Sequence, residues 1–409
     1  MNNHIELENR YCAHNYAPLP VVLCRGEGVH VWDTEGVRYM DMMSAYSAVS
    51  HGHAHPRLVK ALRKQAGELG VVSRAFYSDK LGEFLRKACQ LTHMDMALPM
   101  NSGTEAVETA LKAARKWAYN VKGVAENQAE IIVCKNNFHG RTLSIVGFSS
   151  EAQYRKGFGP FPAGFKQIPF NDAAALEAAI TPNTAAFLVE PIQGEGGIII
   201  PDEGYLAHCE TVCRKRNVLL LCDEIQTGLG RTGRLLACEH EHVRPDGLML
   251  GKALGGGLLP VSLFLARKEV MDVFTPGDHG STFGGNPLAA AVGLEALNTL
   301  VDEHLVERAA AMGHYFMRKL HRLHSPLIRE IRGKGLMIGM EIDANRITGR
   351  QVCEVLAEHQ ILSKETHQTV IRFTPPLVID EFQIDWAVRQ ISRTFRELEK
   401  VAWKHAEAS

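Results

Sequence analysis

Residues 247–257, GLMLGKALGGG, decide how the rest of this chain is read. Leu248, Met249 and Leu250 are apolar without alternation, the pattern of a strand buried on both faces. Lys252 follows just past its carboxyl end, where open α/β sheets gather their chemistry. Gly255, Gly256 and Gly257 then permit a sharp turn or a close approach of backbone to a ligand. The stretch is not a GxxxxGK[ST] phosphate loop: Gly247 to Gly251 is one residue too short, and Ala253 stands where Ser or Thr is needed. In isolation Lys252 also reads as a surface lysine in a loop, so its meaning depends on what other segments bring to it.

Working outward, apolar runs at 131–134 (IIVC), 165–170 (FKQIPF), 185–190 (AAFLVE) and 218–223 (VLLLCD) precede it, separated by helical patterns. Strand–helix alternation from about 70 to 290 predicts a mostly parallel sheet with helices on both faces. Three of the runs end on a charged residue, Glu190, Asp223 and Lys252. In a parallel sheet these three converge on one edge, which is a site signal.

The flanking regions differ. GVHVWDTEGVRYMDM predicts a small hairpin turning at Asp33–Gly36. HGHAHP follows; His51, His53 and His55 at spacing two raise metal ligation, but Pro56 opens a helical pattern, so a loop at a helix start is the better reading. Beyond about 310, HLVERAAAMGHYFMRKLHRLH and FQIDWAVRQISRTFRELEKVAW have helical spacing, with RGKGLMIGMEI as a strand between them. The expected division is an N-terminal segment (1–49) packing with a small C-terminal α/β domain (311–409), around a large domain (50–310).

Composition narrows the function classes. A formal net charge of -1 gives no broad attraction to nucleic acid or anionic membrane. Nine cysteines, odd in number and never as CxxC, suit a reducing compartment and not a disulfide scaffold. No apolar run approaches the ~20 residues of a membrane span. MNNHIELENR carries no signal- or transit-peptide pattern. The expectation is a cytoplasmic protein.

Two further stretches carry chemistry. In MNSGTEAVETALKAARKW, Ser102 and Glu105 form a capping box, and the amides of Ser102, Gly103 and Thr104 at the helix start can hold a phosphate. GLGRTG at 228–233 matches GxGxxG, but Asp223–Thr227 intervenes after the strand and no glycine-opened helix follows. A nicotinamide-dependent dehydrogenase is therefore the weaker alternative. Together, a lysine that forms an imine with an aldehyde, a helix start that holds its phosphate, and a carboxylate (Asp223) that keeps a pyridine nitrogen protonated compose pyridoxal phosphate chemistry. A lysine released from such an imine can shuttle a proton.

Along nearly its whole length the chain resembles the class III, fold-type I aminotransferases, closest to those acting on ornithine. The resemblance rests on YCAHNYAPLP, SAYSAV, SRAFY, MNSGTEAVETALKAARKW, NFHGRTLS, VEPIQGEGG, DEIQTGLGRTG, GKALGGGLLPVS, HGSTFGGNPLA, RGKGL and IRFTPPLVI. It implies that Lys252 is joined covalently to pyridoxal phosphate, Asp223 pairs with the ring nitrogen, and Gln226 bonds the ring hydroxyl. Phe138 would stack on the ring, and Gly103 and Thr104 would bind the phosphate. Thr282 would come from the partner subunit of a homodimer, with higher assemblies open. Glu190 would position Gln226 or the ring region. Arg141 would clamp the substrate carboxylate farther from the reacting amine, and Arg372 the α-carboxylate of glutamate and 2-oxoglutarate. Glu195 would neutralise Arg372 when a terminal amine occupies the site.

Tyr16 and Tyr46 match positions that contact the α-amino and carboxylate end of ornithine in such enzymes. The implied reaction moves the δ-amino group of L-ornithine to 2-oxoglutarate, giving glutamate and glutamate 5-semialdehyde, which cyclises to pyrroline-5-carboxylate. Acetylornithine, lysine, 4-aminobutyrate and putrescine are alternative donors, and an epimerase or aminomutase an alternative reaction on the same scaffold. One departure is His139, where animal members often carry tryptophan; it leaves Phe138 and Arg141 intact, so the roles implied for them are expected to stand.

Overall fold

A computed structural model describes residues 3–407, with side chains described to residue 400. Its centre is a seven-stranded sheet in the spatial order Met96–Met100, Ser262–Ala266, Gly247–Leu250, Leu219–Asp223, Thr184–Val189, Glu130–Cys134 and Phe165–Ile168. The last five of these run parallel, and Ser262–Ala266 is antiparallel to both of its neighbours. The five expected runs all form strands, and Met96–Met100 and Ser262–Ala266 join them. Thr184–Val189, Leu219–Asp223 and Gly247–Leu250 are buried at every position, which is why they read as unbroken apolar runs. Apolar side chains fill both faces: Ile132, Phe187, Leu220, Leu248 on one, and Ile131, Leu188, Leu221, Met249 on the other. On the second face the helix Gly103–Trp117 lays down Ala106, Ala110, Ala113 and Trp117.

The N-terminal hairpin forms as expected, His30–Asp33 against Arg38–Asp41. Asp33 caps its turn by accepting from the amides of Glu35 and Val37. Arg38–Asp41 then pairs in parallel with Ile361–Leu362, tying the first fifty residues to the C-terminal region. One expectation fails there. RGKGLMIGMEI is not one strand but the core of a hairpin, Ile328–Lys334 against Met337–Ile342. The chain reverses at Gly335, whose φ of 55° is the left-handed conformation that glycine adopts without strain. The long helix Leu305–Leu320 packs beside this sheet, and Glu381–Glu407 packs against that helix and against Gly349–Glu358.

The three histidines of HGHAHP go separate ways. His51 bonds the carbonyl of Ala296 (2.9 Å), His53 the carboxylate of Asp41 (2.7 Å) and His55 that of Glu303 (3.2 Å). No metal-binding cluster occurs among the described residues. No helix among them is long and apolar enough to cross a membrane.

Candidate active site

The carboxyl ends of the central strands open into a cavity of about 210 Å³. Glu190, Asp223 and Lys252, each just past or at the end of its strand, line it together, as their convergence in sequence predicts. Ser102, Gly103, Thr104, Phe138, Gln226 and Glu195 line it as well. Of the remaining candidates, Tyr46 and Arg372 reach it through Glu195, and Arg141 lies at Phe138. Tyr16 and Thr282 are exposed and do not line this cavity.

One wall is the start of the helix Gly103–Trp117. The capping box forms, with the Ser102 hydroxyl accepting from the Glu105 amide and the Glu105 carboxylate accepting from the Ser102 amide. The amides between them, of Gly103 and Thr104, have no partner within the first turn and remain available to an anion. Nearby, Gly140 has a φ of 123°, and a Cβ there would meet the Thr104 hydroxyl at 1.9 Å. A glycine is required for the 138–141 loop to pass this close.

The floor is charged. Burial drives the Lys252 amine below its ordinary pKa, while the carboxylates of Glu195, Asp223 and Glu190 pull it partly back. Lys252 itself has a φ of 44°, a left-handed conformation uncommon for a side chain of this size. Asp223 receives two bonds that fix its carboxylate: from the Ile225 amide (3.1 Å) and from His139 Nδ1 (2.7 Å). His139 is buried, and although burial opposes its charge, Asp223 raises its pKa overall. The departure at His139 thus adds a direct support for the Asp223 carboxylate, a contact the sequence did not announce.

Of the two places expected for Glu190, it lies at the Phe138 side of the cavity and not at Gln226. Its carboxylate accepts from the Phe138 amide (2.9 Å) and the Gly194 amide (3.3 Å), with no bond to Gln226. Burial pushes its pKa up to about 7, with Asp223 adding and His139 opposing. Glu190 therefore anchors the Phe138 loop. Gln226 instead reaches Glu195 (3.4 Å) and the Tyr46 carbonyl (3.5 Å). A Cβ at Gly194 would collide with the Gln226 amide oxygen, so the first glycine of GEGG makes room for it.

On the far wall the Arg372 guanidinium is bonded to the Glu195 carboxylate and stacks on the Tyr46 ring, 4.8 Å to the centroid. Burial opposes the Glu195 charge, but Arg372 and Lys252 together bring its pKa below the usual carboxylate value. Tyr46 is held by an unusual backbone: Ser44, Ala45, Tyr46 and Ser47 all have positive φ, from 42° to 74°. Sequence reading found Tyr46 but not this turn, which contains no glycine to announce it.

An aldehyde carrying an aromatic nitrogen and a phosphate matches this donor set: an amine of lowered pKa, a fixed carboxylate and unspent helix-start amides around one cavity.

The class-III aminotransferase family model matches residues 11–395. A curated ornithine aminotransferase of Brevibacillus brevis is 56% identical over 395 residues, 97% of this chain and 98% of its own. The solved ornithine aminotransferase of Toxoplasma gondii, with pyridoxal phosphate at partial occupancy in its active site, superposes with a TM-score of 0.96. It is 47% identical, covering 98% of this chain and 95% of that one. An acetylornithine aminotransferase from Elizabethkingia anophelis superposes at 0.88 with 50% identity, over 96% of this chain and 98% of its own. With a family match across nearly the whole chain and a lysine, a carboxylate and a helix start around one cavity, this chain belongs to the class-III aminotransferases.

Proposed function

We propose that this enzyme transfers the δ-amino group of L-ornithine to 2-oxoglutarate, forming glutamate 5-semialdehyde and glutamate. The observation that carries the reading is the Glu195–Arg372 pair beside Lys252. A donor that presents a terminal amine brings no carboxylate to Arg372, and Glu195 neutralises the guanidinium in its place. Glutamate and 2-oxoglutarate do bring an α-carboxylate, and Arg372 can bind it once Glu195 yields.

Pyridoxal phosphate, when bound, supplies an electron sink for the carbanion left when the amine-bearing carbon loses a proton. Gly103 and Thr104 would hold its phosphate, Asp223 its ring nitrogen, Gln226 its ring hydroxyl and Phe138 a ring face. Lys252 Nζ would be its point of attachment, and takes and returns the proton at the donor's δ-carbon. Its lowered pKa leaves more of the Lys252 amine unprotonated and able to accept that proton. Asp223, its carboxylate fixed by bonds from His139 and the Ile225 amide, would pair with the protonated ring nitrogen. Arg141 takes the carboxylate farther from the reacting amine, and Tyr16 and Tyr46 the α-amino and carboxylate end of ornithine.

Thr282, exposed and away from its own cavity, belongs in this reading to the partner's site in a homodimer. The boundaries at about 50 and 310 and a cytoplasmic location are part of the same reading. The similarity to an acetylornithine aminotransferase makes acetylated ornithine the second candidate donor. Steady-state assays with 2-oxoglutarate decide between them. The reading expects kcat/KM for ornithine to exceed that for N-acetylornithine and 4-aminobutyrate by at least about tenfold, a difference of ~1.4 kcal/mol. The reverse order would overturn it.

A further inference from the structure

The two arginines given to substrate carboxylates are built on one plan with one difference. Arg372 stacks on the ring of Tyr46 and has its edge bonded to Glu195. Arg141 stacks on the ring of Tyr154, 4.2 Å to the centroid, and lies 5.8 Å from the ring of Phe138. Phe138 and Tyr154 meet edge to face, with centroids 6.2 Å apart, so the two rings form a corner around the guanidinium. No carboxylate of the described residues pairs with Arg141.

A guanidinium has two usable surfaces. Its face stacks on aromatic rings, and its edge carries the N–H donors that fork onto a carboxylate. A ring partner fixes the plane while leaving every donor free; a carboxylate partner occupies the edge. From this we infer that Tyr154 is the positioning residue that holds Arg141 as a permanently open clamp for the distal carboxylate of the substrate. Arg372 is the switchable counterpart, open only when Glu195 lets go.

Tyr154 is well placed for the task. It sits in the short helix Ala152–Arg155, which sets its ring against that of Phe138. Its neighbour Glu151 lies 3.8 Å from His367 of the C-terminal region. Arg141 is itself exposed, so without the ring its long side chain would sample many rotamers and lose the fixed fork. The inference rests on the assignment of Arg141 above, and the experiment separates the two.

The probe is glutarate, a dicarboxylate with neither amine nor oxo group, titrated calorimetrically into the holoenzyme. Tyr154→Leu should weaken glutarate by about 3- to 30-fold, the range of a partly exposed cation–ring contact. Tyr154→Phe keeps the ring face and should bind within about twofold of the wild type. In turnover, Tyr154→Leu should raise KM for 2-oxoglutarate more than KM for ornithine, with kcat moving less than either. Arg141→Gln should weaken glutarate at least as much as Tyr154→Leu. If Arg141→Gln weakens binding but Tyr154→Leu does not, the role of Tyr154 is wrong and that of Arg141 stands. If Tyr154→Phe is as weak as Tyr154→Leu, the hydroxyl and not the ring is responsible, and the inference is overturned. If Arg141→Gln binds glutarate normally, the underlying assignment itself falls.

Discussion

His139 Nδ1 lies 2.7 Å from Asp223 Oδ2, both buried, although the two residues are 84 positions apart in the chain. The histidine therefore fixes the orientation of the carboxylate that faces the cavity. Removing one charge-assisted bond of this kind costs about 1.5–3 kcal/mol. His139→Phe should weaken pyridoxal phosphate binding and lower kcat/KM by about 10- to 100-fold, while His139→Asn, which retains an N–H, should recover part of both. Equilibrium titration of apoprotein with the cofactor measures the first and steady-state kinetics the second. A normal His139→Phe enzyme would remove the histidine from the site.

On the proposed reading, Glu195 sets the balance between the two substrates. Glu195→Gln leaves Arg372 without a charged partner, so glutamate should gain and ornithine lose. The ratio of their half-reaction rates should move toward glutamate by about tenfold or more, since a paired charge of this kind is worth roughly 1–3 kcal/mol. Stopped-flow traces with each amine alone provide the ratio. An unchanged ratio removes the switch.

The same substitution has a pH consequence. Burial lowers the pKa of Lys252, and Glu195 is the foremost charge raising it again. Losing that carboxylate moves the Lys252 pKa further down, so more of the amine is unprotonated at a given pH. The rate at which apoprotein captures pyridoxal phosphate should therefore keep its plateau to lower pH in Glu195→Gln than in wild type. A pH–rate profile that shifts upward would contradict the placement of Glu195 beside the amine.

Stability has its own test at Arg231, fully buried and lacking an ion-pair partner among the described residues. It donates to the carbonyls of Leu336 (2.9 Å) and Pro375 (2.6 Å) and to the hydroxyls of Ser44 (3.3 Å) and Ser50 (3.0 Å). Burial lowers its pKa to about 9, with Asp41 opposing. Arg231→Met leaves those acceptors buried and unpaired and should cost about 2–4 kcal/mol. A lower urea midpoint is expected, and an unchanged one would show that the bonds contribute nothing net.

Ala45, by contrast, is a place to gain stability. A left-handed non-glycine residue costs about 1–2 kcal/mol, and glycine's extra freedom when unfolded gives back about 0.5–1. Ala45→Gly should raise the urea midpoint by up to about 1 kcal/mol equivalent. Loosening the turn should also increase KM for ornithine, because Tyr46 is its next residue. A lower midpoint would mean that the turn is not strained.

The central sheet was legible because strands buried on both faces leave unbroken apolar runs, and three charged residues at their ends gave away the cavity. What the sequence hid depends on distance or on unusual backbone. The strand Ser262–Ala266 follows the glycine stretch and was absorbed into that motif. Continuous apolar character masked the reversal at Gly335. The contact of His139 with Asp223 and the ring corner of Phe138 and Tyr154 leave no local spacing to read. Arg231 sat inside a glycine pattern that suggests a nucleotide loop, whereas its side chain is an interior tie between the two ends of the chain.

The most direct test of the central claim is the absorption spectrum of the purified holoenzyme mixed with L-ornithine and no oxo acid. The account predicts that the cofactor's long-wavelength band is lost, that 2-oxoglutarate restores it, and that N-acetylornithine discharges it far more slowly. A band indifferent to ornithine yet discharged by N-acetylornithine or 4-aminobutyrate would contradict it.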